Sequence, residues 1–265
     1  MRIPLLFSLL AIGCLFDLAA QGEPNEWAVE RSLDFAKRHE VFKDFYFTEH
    51  EQEFVRLVQE GQSPRTLFIG CSDSRVIPEL IIDARPGDLF VIRAAGNFVP
   101  YYDTSIAWDG VAASLYYAVE VLRVKEIIVC GHSHCGAIAG LFDEGESGFP
   151  EEILERWLQF GGPAKRLALD SAPPNASKSE LAACATYLSI LFQLDNLLSY
   201  PFIRALVERQ ELFLHGWFFD IERGQISYYD PLSQRFALLN SAKNTEKTRR
   251  MYAPASSKEV MGADD

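Results

Sequence analysis

At 265 residues the chain is long enough for one sizeable core, or for a domain with extensions. Its 48% apolar and 23% charged residues are those of an ordinary globular protein. A formal charge of −12 argues against nucleic acid as a partner, because nothing here neutralises a run of phosphates and Arg249-Arg250 is too short for a basic tail. Five cysteines, at 14, 71, 130, 135 and 184, are odd in number and scattered, which points to metal binding or burial rather than a disulfide framework.

Arg2 precedes an apolar run from Ile3 to Phe16, with Ala19-Ala20 before the polar Gln21. This resembles a signal peptide and falls short of the roughly 20 residues of a membrane span. Asp17 near the cut counts against it, and Leu10 to Cys14 loosely resembles a lipoprotein signal that would acylate Cys14. The two expectations are export (periplasmic or secreted) and an uncleaved extension on a cytoplasmic chain. Residues 1–20 are therefore set apart, 26–240 are read as one domain, and 241–265, without an apolar pattern, as a mobile tail.

Glu26 to Arg38 and Glu49 to Gln59 read as amphipathic helices, the second ended by Gly61. Thr66 to Ile69 is a short apolar run bounded by Pro64 and Gly70, hence a buried strand. A short helix is expected around Glu79 to Asp83, a turn at Arg85 to Asp88, and a second buried strand at Leu89 to Ile92. The loop Arg93 to Asn97 leads to a helix from about Ser105 to Leu122, with Val111, Leu115, Ala118, Val119 and Leu122 on one stripe. Glu126 to Cys130 is the third strand, and Gly131 to Gly136 opens another helix.

After a loop at Gly145 to Pro150, Glu151 to Phe160, Lys178 to Leu198 and Pro201 to Val207 are helical; Ser171 to Asn175 is a turn. Asn175-Ala176-Ser177 is a glycosylation sequon only for a eukaryotic secreted chain. Leu212 to Asp220 and Gln225 to Tyr229 form a closing hairpin. The fold class is α/β: four parallel strands joined by right-handed crossovers, an antiparallel C-terminal edge strand, flanking helices and an N-terminal helical arm.

The chemistry gathers at strand ends. Cys71, Asp73 and Arg75 stand at alternate positions just after the first strand, where open α/β sheets place a ligand crevice. Taken alone, Ser72, Asp73 and Ser74 read equally well as caps of a helix near Ile77. His132 and Cys135 follow the third strand. Two thiolates and an imidazole suit zinc, and three protein ligands with one open position is the catalytic pattern. Cys130 and Cys184 are expected to be buried, and Ser133 and His134 to face elsewhere or cap the helix.

C-S-D-S-R at 71–75 with G-H-S-H-C-G at 131–136 resembles the β-class carbonic anhydrases, over about Trp27 to Asp230 and including Leu-His-Gly-Trp at 214–217. The resemblance implies a zinc enzyme interconverting carbon dioxide and bicarbonate, a homodimer or higher oligomer. It implies Cys71, His132 and Cys135 as ligands of one Zn2+ per chain, with Asp73 and Arg75 as catalytic pair. Asp73 would orient the attacking hydroxide while Arg75 holds it off the metal; in a closed state Asp73 would be the fourth ligand.

Gly61 to Pro64 and Arg156 to Lys165 are similar to the plant-type branch. There Gln62 would donate to bicarbonate, while Phe90 and Tyr117 would line an apolar pocket, unless both are ordinary core. Ala94 and Ala95 depart from the family's asparagine and larger aliphatic, so the pocket is expected to be roomier; Asn97 is retained. Rival readings are carbon disulfide hydrolysis on the same framework, a non-catalytic zinc module with Asp73 permanently ligated, and a serine hydrolase using Ser133 with His215 as base.

Overall fold

A computed structural model describes residues 25–105, 109–143 and 151–239. The leader at 1–20 with Cys14, the Gly145 to Pro150 loop and the tail from 241 lie outside the described residues. The chain parts into two compact units after Gln59. In the first, helix α1 (Glu26–Val41) starts where Asn25 Oδ1 accepts from the Trp27 amide at 3.0 Å. It runs through a π-helical segment, Phe42–Phe47, into α2 (Thr48–Glu60), with no break between the two expected helices. The wider turn sets Phe47 against Phe54, ring centroids 5.1 Å apart, and Phe42 edge-on to Phe54 at 6.3 Å.

The second unit holds a six-stranded sheet in the order β2-β1-β3-β4-β5-β6. Its strands are β1 (Thr66–Cys71), β2 (Leu89–Ala94), β3 (Glu126–His132), β4 (Phe213–Asp220), β5 (Gln225–Asp230) and β6 (Arg235–Leu238). The first four are parallel, and β5 and β6 extend them antiparallel. The expected four parallel strands with an antiparallel C-terminal edge are present, and β6 adds a strand the pattern did not reveal. It has four residues, of which only Phe236 is even half-buried, so it carries no apolar alternation. The first three strands run two residues further than their apolar runs suggest. Cys71 and His132 are thus the last residues of β1 and β3 rather than loop residues.

Helices flank the sheet: α3 (Pro78–Ile81), α4 (Gly110–Tyr116), α5 (Gly136–Gly140), α6 (Glu151–Leu158), α7 (Gly162–Ser171), α8 (Lys178–Ser199) and α9 (Pro201–Glu208). The helix expected from Ser105 begins at Gly110, because Asp109 Oδ1 accepts from the Val111 and Ala112 amides at 2.9 and 3.2 Å. It then widens into a π segment, Tyr117–Val121. Helix α7 was hidden by Gly162-Pro163, which reads as a break but sits in the first turn, where proline is tolerated.

The main core lies on one face of the sheet: Leu67, Ile69, Ile92, Val129 and Leu214 pack with Ile190, Leu194 and Leu197 of α8. Helix α8, opened by a Ser177–Glu180 capping box, is long and apolar enough to cross a membrane, yet these residues are buried in the core. It reaches the sheet at glycines. A Cβ on Gly216 would stand 2.9 Å from Ile190 Cγ2, and one on Gly131 2.9 Å from Ile190 Cδ1. The opposite face buries Phe68, Ile128 and Cys130. Because β1, β2 and β3 are parallel neighbours, the segments leaving their C-terminal ends emerge along one edge.

Candidate metal centre

At that edge Cys71 ends β1, His132 ends β3, and Cys135 caps α5. The Sγ atoms of Cys71 and Cys135 and a ring nitrogen of His132 all lie within 4.8 Å of one another, and all three residues are buried. The two sulfurs are 3.9 Å apart. Two thiolates sharing a tetrahedral zinc, with Zn–S near 2.3 Å, stand about 3.8 Å apart. His132 Nδ1 lies 2.9 Å from the Ser133 carbonyl, which fixes that nitrogen as the N–H donor. Nε2 is then a free lone pair, fully buried and without a hydrogen bond. An orphaned imidazole nitrogen between two close sulfurs fits a borderline-soft cation such as zinc.

The backbone between the two later donors is bent to bring both inward. Ser133 N donates to Phe219 O at 2.9 Å, and Ser133 Oγ accepts from the Ile221 amide at 2.9 Å. His134 takes a left-handed φ of 55°, uncommon outside glycine. Its ring turns outward, Nε2 3.3 Å from Glu222 Oε1, and its carbonyl accepts from Arg75 Nη2 at 3.0 Å. Ser133 and His134 thus face away from the donors, as expected.

The Cys71 thiol is pushed down to about 4, chiefly because the Cys135 thiol donates to its thiolate; the Gly96 amide, 3.3 Å from the sulfur, adds to this. Cys135 is pushed upward by the same pairing and by burial. Cys130 shows the contrast: burial alone, with no compensating donor, raises its thiol to about 12.

Asp73 approaches this corner with Oδ2 3.9 Å from His132 Nε2. Both of its oxygens are taken by Arg75: Nε to Oδ1 at 2.9 Å, Nη2 to Oδ2 at 2.7 Å, and the Arg75 amide to Oδ1 at 3.0 Å. That fork holds the carboxyl well below the usual carboxylate range. Arg93 supplies contacts that the motifs did not advertise. Its Nε donates to Cys71 O at 3.1 Å, and its Nη2 to Asp73 O at 2.7 Å and Val76 O at 2.8 Å. Nothing in a small-residue R-A-A-G-N loop signals this, since the bonds depend on backbone carbonyls.

The other anticipated residues are not brought here. Phe90 pairs in register with Leu67, four residues before Cys71, or about 13 Å along the strand. Tyr117 lies with it, ring centroids 5.8 Å apart, and is exposed. Gln62 precedes β1 and is exposed. His215 pairs with Ile128, five residues or about 16 Å before Ser133, so no serine–histidine pair forms. The Ser133 hydroxyl is instead engaged with the Ile221 amide.

Residues 66–226 match the family model described as carbonic anhydrase. A carbonic anhydrase of Synechocystis sp. is 40% identical over 213 residues, spanning 80% of this chain and 76% of that one. Among solved structures, the β-carbonic anhydrase CcaA superposes with a TM-score of 0.74 at 39% identity, covering 80% of this chain and 93% of the other. A tetrameric β-carbonic anhydrase of Sordaria macrospora gives 0.66 at 30% identity, covering 75% and 96%. The sheet and its donor corner are thus those of the carbonic anhydrase class. The chain belongs to the β family of that class.

Proposed function

We propose that the chain converts carbon dioxide and water reversibly to bicarbonate and a proton at the Cys71–His132–Cys135 corner, with one zinc ion per chain. The observation that carries this is the convergence of three buried donors, one an imidazole nitrogen with no bond of its own, beside a carboxylate already committed to Arg75. Zinc held by these donors supplies the Lewis acidity that brings the pKa of water from about 15.7 towards about 7.

The chain's own residues do the rest. Two thiolates cancel much of the cation's charge, so activity rises into the alkaline range. Asp73 accepts a hydrogen bond from the attacking hydroxide and aims its lone pair at the carbon. Arg75 keeps both Asp73 oxygens occupied, so the carboxylate would not be drawn onto a cation that Cys71, His132 and Cys135 would hold. A permanently closed module with Asp73 as fourth ligand is disfavoured by this pairing.

Phe90 and Tyr117, too far from Cys71 in their own chain, line with Gln62 the apolar and bicarbonate-binding wall of a second copy's centre in a homo-oligomer. Residues 1–20 direct export, which N-terminal sequencing of the native protein tests.

The central test is stopped-flow carbon dioxide hydration on metal-quantified protein from mildly acidic to alkaline pH. Turnover that requires zinc and climbs with pH is expected. Stoichiometric zinc without hydration would sink the reading, and carbon disulfide in the same apparatus would then show whether the sister hydrolysis runs instead. Ester hydrolysis that survives chelation would point to Ser133.

A further inference from the structure

We propose that Arg93 is a positioning residue that fixes the Asp73–Arg75 pair relative to the metal donors, and that turnover depends on it although it touches neither metal nor substrate. Asp73 and Arg75 are two residues apart on one irregular segment between β1 and α3. Their mutual bonds tie the pair together but cannot fix it in space, since both partners would drift with the segment. Something outside the segment has to anchor it. Two other anchors are the Ser72 amide on Ala94 O at 3.2 Å and the Arg75 side-chain Nη2 on His134 O at 3.0 Å.

Arg93 does more than either. From β2 its one guanidinium reaches Cys71 O, Asp73 O and Val76 O, the start, middle and end of the segment. It pairs in register with Gly70, the residue just before Cys71. The planar fork presents Nε and Nη2 to separate acceptors at once, which a single ammonium nitrogen does not reproduce. One bond sets the backbone of a metal donor and another that of the orienting carboxylate, so the spacing between them is held by a third residue.

This inference rests on the hydration reading of the pair, and its test is chosen to fail separately. Arg93→Gln and Arg93→Lys are prepared with zinc quantified, and hydration is measured with amide hydrogen exchange across 72–76 and across β3. For Arg93→Gln the expectation is retained zinc, kcat lower by about 10–100-fold, KM within about twofold, and faster exchange confined to 72–76. Arg93→Lys, which keeps the charge but not the fork, should fall between it and the parent protein.

Parent-level kcat and unchanged loop exchange in Arg93→Gln would overturn the clamp. So would exchange that quickens equally across β3, the mark of a merely structural role. If Arg93→Gln does not fold, Arg93→Lys decides by the same two measurements. If the parent chain itself hydrates no carbon dioxide, the functional reading fails, while loop exchange still judges the clamp.

Discussion

In the proposed reaction the chemistry turns on the Arg75 guanidinium, which would decide whether Asp73 serves the hydroxide or competes for the metal. With Arg75→Ala the carboxylate loses both guanidinium bonds, Nε to Oδ1 and Nη2 to Oδ2, and keeps only the residue-75 amide on Oδ1. Zinc should stay at one per chain while hydration drops ~10²-fold or more, the scale of a misplaced catalytic group. Unaltered turnover would remove Arg75 from the mechanism. Cys71→Ser should behave oppositely, losing stoichiometric metal, which elemental analysis reads directly. The sign of the Asp73 shift bears on pH. A depressed carboxyl keeps the ion pair intact above its ordinary range near 4 and loses it only as pH falls through the still lower folded value. An activity change between pH 6 and 9 therefore reports something other than the breaking of this pair. The donors and the pair were legible because a motif states side-chain identity. Arg93 and the His134 carbonyl were not, because their part is played through backbone geometry that residue names do not encode.

Element packing rests on helix α8 lying against bare backbone. Gly216→Ala would put a methyl 2.9 Å from Ile190 Cγ2 and 3.1 Å from Leu194 Cδ1. The expected cost is about 1–3 kcal/mol of overpacking, read from the urea midpoint, with zinc still bound. A change under half of that would show the helix can shift freely. His215, on the same strand, has its imidazole lowered by burial, so the unfolded chain takes the proton first. Stability should fall as pH drops from the ordinary imidazole value near 6.5 towards the lower folded one. His215→Gln should narrow the difference between urea midpoints at pH 7 and pH 5.5; an equal difference in both proteins would exclude His215 as its source. The buried parallel strands announced themselves as continuous apolar runs. Helix α7 and strand β6 did not, one masked by a proline in its first turn and the other too exposed to show a period.

For the whole molecule, the register that separates Phe90 from Cys71 makes assembly part of the active unit in the proposed function. Co-expressing Cys71→Ser with Tyr117→Ala tests this. A hybrid joins an intact wall from the first chain to an intact metal centre in the second, so its activity should exceed the mean of the two parents. Activity at or below that mean would confine Tyr117 to its own chain. The overall layout of sheet, crossovers and C-terminal edge could be read from alternating strand and helix signals. How copies meet could not, since single-chain periodicity carries no information on which exposed face is covered.

The two sulfurs stand 64 residues apart in the chain and meet only because β1 lies beside β3. As a nascent chain leaves the ribosome, its first thiol appears long before its second, and no short loop can gather a cation ahead of time. An ion at this corner would thus be a late arrival that seals a finished edge, not a seed around which the polypeptide condenses, as it is in small zinc-dependent modules.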